Sequence, residues 1–235
     1  MILAAHQLHY LPGLSYLDKI DRSDCFVILD DVQYEKNGWQ NRNRIWSPKG
    51  WQWLTVPVHA HLSDRILDVQ IKNETSWQKD HLKSMELHYH KTPHFSLLWD
   101  RLKGIYEKEW VSLAPFSAAC LDALFQAVGL EKKKRIYSSA LNLKTHTSQR
   151  LVDCCKHFGA DTYLSGDGAQ AYLDLALFEK EKIRVVFQNF SHPVYRQFQA
   201  KEGDFVDHLS CVDLIFNHGK ESLGILRKIR KGADA

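Results

Sequence analysis

The chain has 235 residues, enough for one large α/β domain with a sizeable core, and no stretch long and apolar enough to span a bilayer. Its net charge of +3 and pI near 8.5 fall short of the basicity, above pI ~9, of a dedicated nucleic-acid-binding domain. Five unpatterned cysteines (Cys25, Cys120, Cys154, Cys155, Cys211) read as reduced, buried thiols of a cytoplasmic protein, not as a disulfide framework.

Residues 1–5 read as a first strand. No Lys or Arg precedes it, and His6 and Gln7 break the apolar run early, which argues against a secretory signal. Pro12 falls at the first turn of a helix over "GLSYLDKI". "CFVILD" (25–30) has the continuous apolar character of a buried parallel strand. A polar, aromatic loop follows over 31–50, with turn signals at Asn37-Gly38 and Pro48-Lys49-Gly50. "WQWLTVPV" and "ILDVQI" alternate as strands in a hairpin-like excursion. Amphipathic helices are expected over 75–90, 95–109 and 113–128, the last ended by Gly129.

"RIYSSAL" (135–141) resumes the strand pattern, and "TSQRLVDCCKHFG" is a helix stopped by Gly159. "ADTYLSGDG" is a strand running into a glycine turn, "AQAYLDLALFEKE" a helix and "IRVVFQNF" a strand. "LSCVDLIFN" and "ESLGILRKIRKG" close the chain as helices. Strands alternating with helices predict an α/β, Rossmann-like parallel or mixed sheet flanked by helices. The expected organisation is a single domain over 1–235 with a helical insertion at 75–130.

Seven tryptophans and 13 histidines point to a polar, aromatic pocket. In an open α/β sheet, ligands sit at the C-terminal ends of strands. His6 and His9 end the first strand with the spacing of the His-x-Gly-His turn of nucleotidylyl transferases, but Leu8 replaces the glycine that lets backbone approach a phosphate. Asp30 and Asp31 end the second strand, where metal or base chemistry is possible; strand alternation allows at most one of them into a common site. Gln40, Asn41, Arg42, Asn43 and Arg44, with Lys36 before them, form a dense run of donors beside the stacking ring of Trp39. Arginine forks suit phosphate or carboxylate, and amides suit sugar hydroxyls. Ser165, Gly166 and Gly168 make a strand–turn–helix, another anion-ready helix start, with Tyr172 nearby. The turn lacks the full dinucleotide fingerprint. His59 with His61, and His88 with His90, could pair on strands, yet no Cys or carboxylate lies at diagnostic metal-ligand spacing. The "KKKR" run at 132–135 reads as a solvated face, and a mid-strand Cys25 as inert core rather than a partner of His6.

Together these segments resemble the WbqC-like family of bacterial proteins. The resemblance rests on "HQLHYLPGLSYLDKI", "DCFVILDDVQYEKNGWQNRNRI", "GWQWLTVPV", "GADTYLSGDGAQAYLD", "FQNFSHPVY" and "LSCVDLIFNHG". His6, Gln7, Tyr10, Leu11 and Pro12 fit its opening pattern, from which Leu8 and His9 depart. The resemblance implies a role in O-antigen and related surface-polysaccharide synthesis: transfer of an acyl or aminoacyl group to a nucleotide-activated amino sugar. The partners are then that sugar nucleotide and an acyl or aminoacyl donor, a charged tRNA among the possible donors. No cofactor motif is present, and no metal is assigned. His6 is expected to act as general base or donor, oriented by Asp31, with Asp30 beside it. Arg42 and Arg44 are expected to hold a diphosphate or carboxylate, Trp39 and Tyr172 to stack, and Gly166 to Gly168 to offer amides to an oxyanion. Gln7, Tyr10, Lys36, Gln40, Asn41, Ser165, His192 and Tyr195 complete the expected binding set. The rival readings are nucleotidylyl transfer from ATP or CTP with Mg²⁺, and a non-catalytic protein that binds sugar nucleotides.

Overall fold

The computed structural model describes residues 1–61 and 63–233. In chain order the elements are β1 (Ile2–Gln7), α1 (Leu14–Arg22), β2 (Cys25–Leu29), β3 (Arg42–Ser47), β4 (Gly50–Thr55), β5 (Val58–His59) and β6 (Gln70–Ile71). There follow α2 (Trp77–Tyr89), α3 (Phe95–Tyr106), α4 (Leu113–Val128), β7 (Lys134–Tyr137), α5 (Thr147–Phe158) and β8 (Thr162–Ser165). The chain continues through α6 (Leu175–Lys180), β9 (Arg184–Phe187), α7 (Cys211–His218) and α8 (Ser222–Ala233).

Five strands form one parallel sheet in the order β7-β2-β1-β8-β9. Helices cover both faces, so the strands can be short and apolar throughout, and the fold is Rossmann-like α/β. Side chains alternate between two cores. Ala4, Phe26 and Ile28 pack with Leu17 and Ile20 of α1, Leu121 of α4 and Val212 of α7. Leu3, Ala5 and Val27 meet Val152 and Cys155 of α5 and Phe178 of α6. The connection from β2 to β7 leaves the sheet and carries β3 to β6 and α2 to α4. Buried residues of those helices, such as Met85, Leu98 and Phe116, belong to the same apolar cluster as Phe26. Gly129 and Gly159 end α4 and α5 at φ +80° and +66°, a conformation open to glycine at little cost. Among the described residues no helix is long and apolar enough to cross a membrane.

The structure corrects several expected elements. Residues 42–47, expected in a loop, form β3, which pairs Arg44 with Trp53 and Trp46 with Trp51 of β4. Asn43, Ile45 and Ser47 are its buried set, so a strand period runs through a segment whose polar composition conceals it. "ILDVQI" is a 3₁₀ turn (Ile66–Asp68) followed by β6, whose partner is β5 and not the tryptophan-bearing strand. Pro12 precedes the helix: Gly13 is the N-cap of α1, and the Pro12 carbonyl accepts from the Cys211 N–H at 2.8 Å. Strand β7 stops at Tyr137, and 138–141 turn as 3₁₀. The glycine turn after β8 enters a 3₁₀ segment (Asp167–Ala171); α6 begins only at Leu175, where the Asp174 side chain accepts from the Leu177 N–H.

Tyr10 lies in the core, fully buried. Its hydroxyl contacts the Tyr106 hydroxyl and lies 3.0 Å from His81 Nδ1. Replacing Tyr10 by Phe leaves two buried polar groups short of a partner, a loss of about 1–3 kcal/mol. A urea titration is expected to show that loss, with ligand affinity unchanged.

Candidate functional site

The sheet order reverses between β1 and β8. The segments leaving these adjacent strands diverge to opposite faces, and a crevice opens at their C-terminal ends. A cleft of about 800 Å³ occupies that place. His6, His9, Tyr16 and Lys19 form its floor, and Trp39 and Arg44 one wall. Gly166, Gly168 and Tyr172 line it from the segment after β8, and Thr147, Ser148, Arg150, His192 and His208 line it as well.

The two floor imidazoles meet edge-on at 4.5 Å between ring centroids, and lie 4.9 Å (His6) and 5.6 Å (His9) from the Tyr16 ring. Burial, reinforced by the Lys19 charge, lowers both pKa values, that of His9 to about 3, so both rings are neutral at pH 7. His6 Nδ1 lies 3.2 Å from the Gln7 carbonyl. The tautomer that donates there leaves Nε2 as an acceptor. Gln7 is itself fixed: its Nε2 donates to Glu35 (3.2 Å), and its Oε1 accepts from Gln40 Nε2 (2.9 Å). Gln40 also accepts from the Glu35 N–H at 2.7 Å, so it acts through Gln7 and does not line the cleft.

Lys19 is the residue that sequence reasoning missed. It is 4% exposed, and its ammonium makes no hydrogen bond or ion pair with the described residues. Burial lowers its pKa to about 8, opposed through space by the Asp167 and Asp18 carboxylates. It therefore stays largely cationic at pH 7. Both carboxylates are engaged elsewhere: Asp167 accepts from the N–H groups of Asn189 (2.7 Å) and Phe190 (2.9 Å), and Asp18 from Gln188 (2.7 Å) and Arg230 (2.5 Å). The one available signal was spacing, since Lys19 stands three residues after Tyr16 on the same helical face.

Arg44 faces outward, 5.1 to 5.9 Å from the rings of Trp39, Trp51 and Trp53, and has no carboxylate partner among the described residues. The three rings remain about two-fifths exposed. Arg42 packs over Trp53 at 4.3 Å and donates to the Asn37 carbonyl (2.5 Å). Asn41 is buried and donates to the Val56 carbonyl (2.8 Å). Of the donor-rich run, Trp39, Asn43 and Arg44 line the cleft; Lys36, Gln40, Asn41 and Arg42 do not.

Asp30 and Asp31 lie beyond the end of β2, so strand alternation does not separate them. Asp30 accepts from the Ser139 N–H (2.9 Å) and hydroxyl (2.7 Å), Asp31 from Ser138 and Arg150. Burial opposes the Asp31 charge, but those partners outweigh it and hold its pKa below the ordinary value. Neither carboxylate lines the cleft, and the expected contact between Asp31 and His6 is not made. Arg150 does line it, and its Nε is buried without a hydrogen-bond partner. Ser165, at the cleft wall, donates to the Gly166 carbonyl at 3.2 Å. His192 accepts at Nε2 from the His208 N–H at 3.2 Å, whereas Tyr195 is buried and donates to Asp213 at 2.8 Å.

Histidines 88 and 90 lie at the end of helix α2, not on a strand, and a two-residue spacing there does not share a face. His59 lies 3.5 Å from Glu74. Among the described residues no group of three His, Cys, Asp or Glu side chains could hold a metal. All five cysteines are buried and free, and burial raises the Cys154 thiol to about 11. Cys25 pairs with Leu3 and His6 with Ile28, which separates that thiol from the imidazole by three strand residues, about 10 Å.

A model of the WbqC-like protein family matches residues 7–225, and the chain belongs to that family. It is 33% identical over 236 residues to the uncharacterized protein Rv1507c of Mycobacterium tuberculosis, covering 97% of this chain and 99% of that protein. No solved structure matches.

Because the folded state keeps His6 and His9 neutral while the unfolded chain protonates them below their ordinary pKa, stability contributed by these rings is lost as pH falls below about 6.5. In His9→Gln the pH dependence of unfolding free energy between pH 6 and pH 4 is expected to be shallower by about one proton, read from urea titrations at each pH.

Proposed function

For this member of the WbqC-like family, we propose a cytoplasmic transferase of surface-polysaccharide synthesis that acylates or aminoacylates the amine of a nucleotide-activated sugar. The observation that carries the reading is His6: a neutral imidazole with a free acceptor nitrogen at the cleft floor, beside a buried cation and below a stacking wall. In the proposed step the sugar amine attacks the carbonyl of the acyl donor and a C–N bond forms. His6 Nε2 takes the proton lost by the nitrogen, and the donor's leaving group departs with the electron pair of its broken bond and receives that proton. The turn at Gly166 to Gly168 supports this by carrying backbone N–H groups on the cleft wall for the developing oxyanion. Trp39 offers a ring face to the sugar or base, and Arg44, held among three indoles without a carboxylate, offers an anion contact. Gln40 and Glu35 fix Gln7 next to the base and act as positioning residues.

Contact between His6 and His9 on the exit from β1 also favours nucleotidylyl transfer from ATP or CTP. Against it, Leu8 is buried and its N–H is committed to the Leu29 carbonyl at 3.1 Å, so the backbone between the histidines is not free for a phosphate.

His6→Ala is expected to lower amide formation on a nucleotide-linked amino sugar by about 10²- to 10⁴-fold, with sugar-nucleotide affinity retained. Mass spectrometry of the product and a binding titration read the two quantities. Full activity removes His6 from the chemistry. Saturable binding without turnover, whichever acyl donor is offered, identifies a binding protein instead.

A further inference from the structure

We propose that Lys19, seated over Gly166 beside the start of α1, is the anion-binding residue of the cleft and receives the phosphoryl groups of its ligand. The inference rests on reading the cleft as the ligand site, not on the reaction assigned to it.

A buried ammonium without an acceptor is costly, and buried charges in folded proteins are as a rule paired, a pairing that an anionic ligand would supply here. Lys19 approaches that condition: the residue is 4% exposed, it lines the cleft, and its ammonium makes no hydrogen bond or ion pair among the described residues. Asp18 and Asp167 do not neutralise it by contact, since each accepts hydrogen bonds from other groups. A second feature points the same way. Gly13, Leu14 and Ser15 of the α1 start line the same cleft, and no side chain caps that terminus. The helix dipole there favours an anion within reach of Lys19, one turn further along. Gly166 completes the cradle: a Cβ at this position would stand 2.9 Å from Lys19 Nζ, so the absence of a side chain lets the ammonium occupy the cleft wall. The chemistry is that of a point charge joined to backbone donors, which suits tetrahedral phosphoryl groups. The neutral imidazole of His9 can add a donor without repelling the lysine. Lys19, and not Arg42, is then the primary diphosphate contact.

Isothermal titration of the full chain with inorganic pyrophosphate tests the site. Lys19→Met is expected to weaken binding at least tenfold, while the unliganded melting midpoint stays equal or rises, because an unpaired buried charge has been removed. Lys91→Met, at an exposed surface lysine, is expected to change neither. Gly166→Ala puts a methyl against Nζ and tests the geometry without removing the charge; a several-fold loss of pyrophosphate affinity is expected. Failure of the wild-type chain to bind pyrophosphate overturns the proposal, as does wild-type affinity in Lys19→Met. If Lys19→Met does not fold, Lys19→Gln decides, and wild-type pyrophosphate affinity there overturns the site. Pyrophosphate bound through Lys19 with no acylation of any amino-sugar nucleotide leaves the anion site standing and removes the transferase.

Discussion

The reversal of strand order between β1 and β8 is the constraint on which the rest of this molecule depends. Parallel strands need crossover connections, and the two crossovers that begin at adjacent strands here leave for opposite faces of the sheet. The chain ends of β1 and β8 are thereby left with unshared space in front of them. Each side chain of the cleft floor follows from that geometry: His6 ends β1, α1 starts a few residues later and brings Tyr16 and Lys19 beneath it, and Gly166 follows β8.

Within this frame the electrostatics are set by desolvation. Two imidazoles and a lysine share a poorly hydrated floor, and the neutral rings are the cheaper way to keep a single cation there. The surrounding shell is arranged so that no carboxylate reaches Lys19: Asp18 is held by Arg230, Asp167 ties down the 189–190 backbone, and Asp31 faces Arg150. Thr147 and His208, neither of them glycine, line the cleft at φ +50° and +52°. Such residues persist where the surrounding structure over-determines them, and they cluster at functional sites.

The sheet and its helices were legible because apolar runs, helical spacing and terminal glycines are local signals. Gly129 and Gly159 end their helices where sequence reasoning placed the stops. The cleft lining was legible at strand ends, in His6, Gln7, Ser165 and Gly166, and in part in the connecting segments, in Trp39, Arg44, Gly168, Tyr172 and His192. Residue chemistry alone over-assigned the 36–44 run: Trp39, Asn43 and Arg44 line the cleft, whereas Gln40, Asn41 and Arg42 are taken up by Gln7, the Val56 carbonyl and Asn37. Asp30 and Asp31 were drawn to the site by adjacency, but their partners, Ser138, Ser139 and Arg150, come from more than a hundred residues further along the chain. Lys19 was hidden for the converse reason. A lysine on an amphipathic helix reads as solvent-facing, and what buries it is the turn after β8, far away in sequence.

Membership of the WbqC-like family and the position of the cleft together make ligand class the decisive unknown. A thermal-shift screen of the purified chain against UDP- and dTDP-linked amino sugars, acetyl-CoA, ATP and CTP measures it most directly. An amino-sugar nucleotide at a hundred times its dissociation constant is expected to stabilise the fold by about 2.7 kcal/mol, seen as a raised melting midpoint. Stabilisation by ATP or CTP with Mg²⁺ alone, or no shift with any phosphorylated ligand, would contradict the assignment of the cleft to a nucleotide-activated sugar.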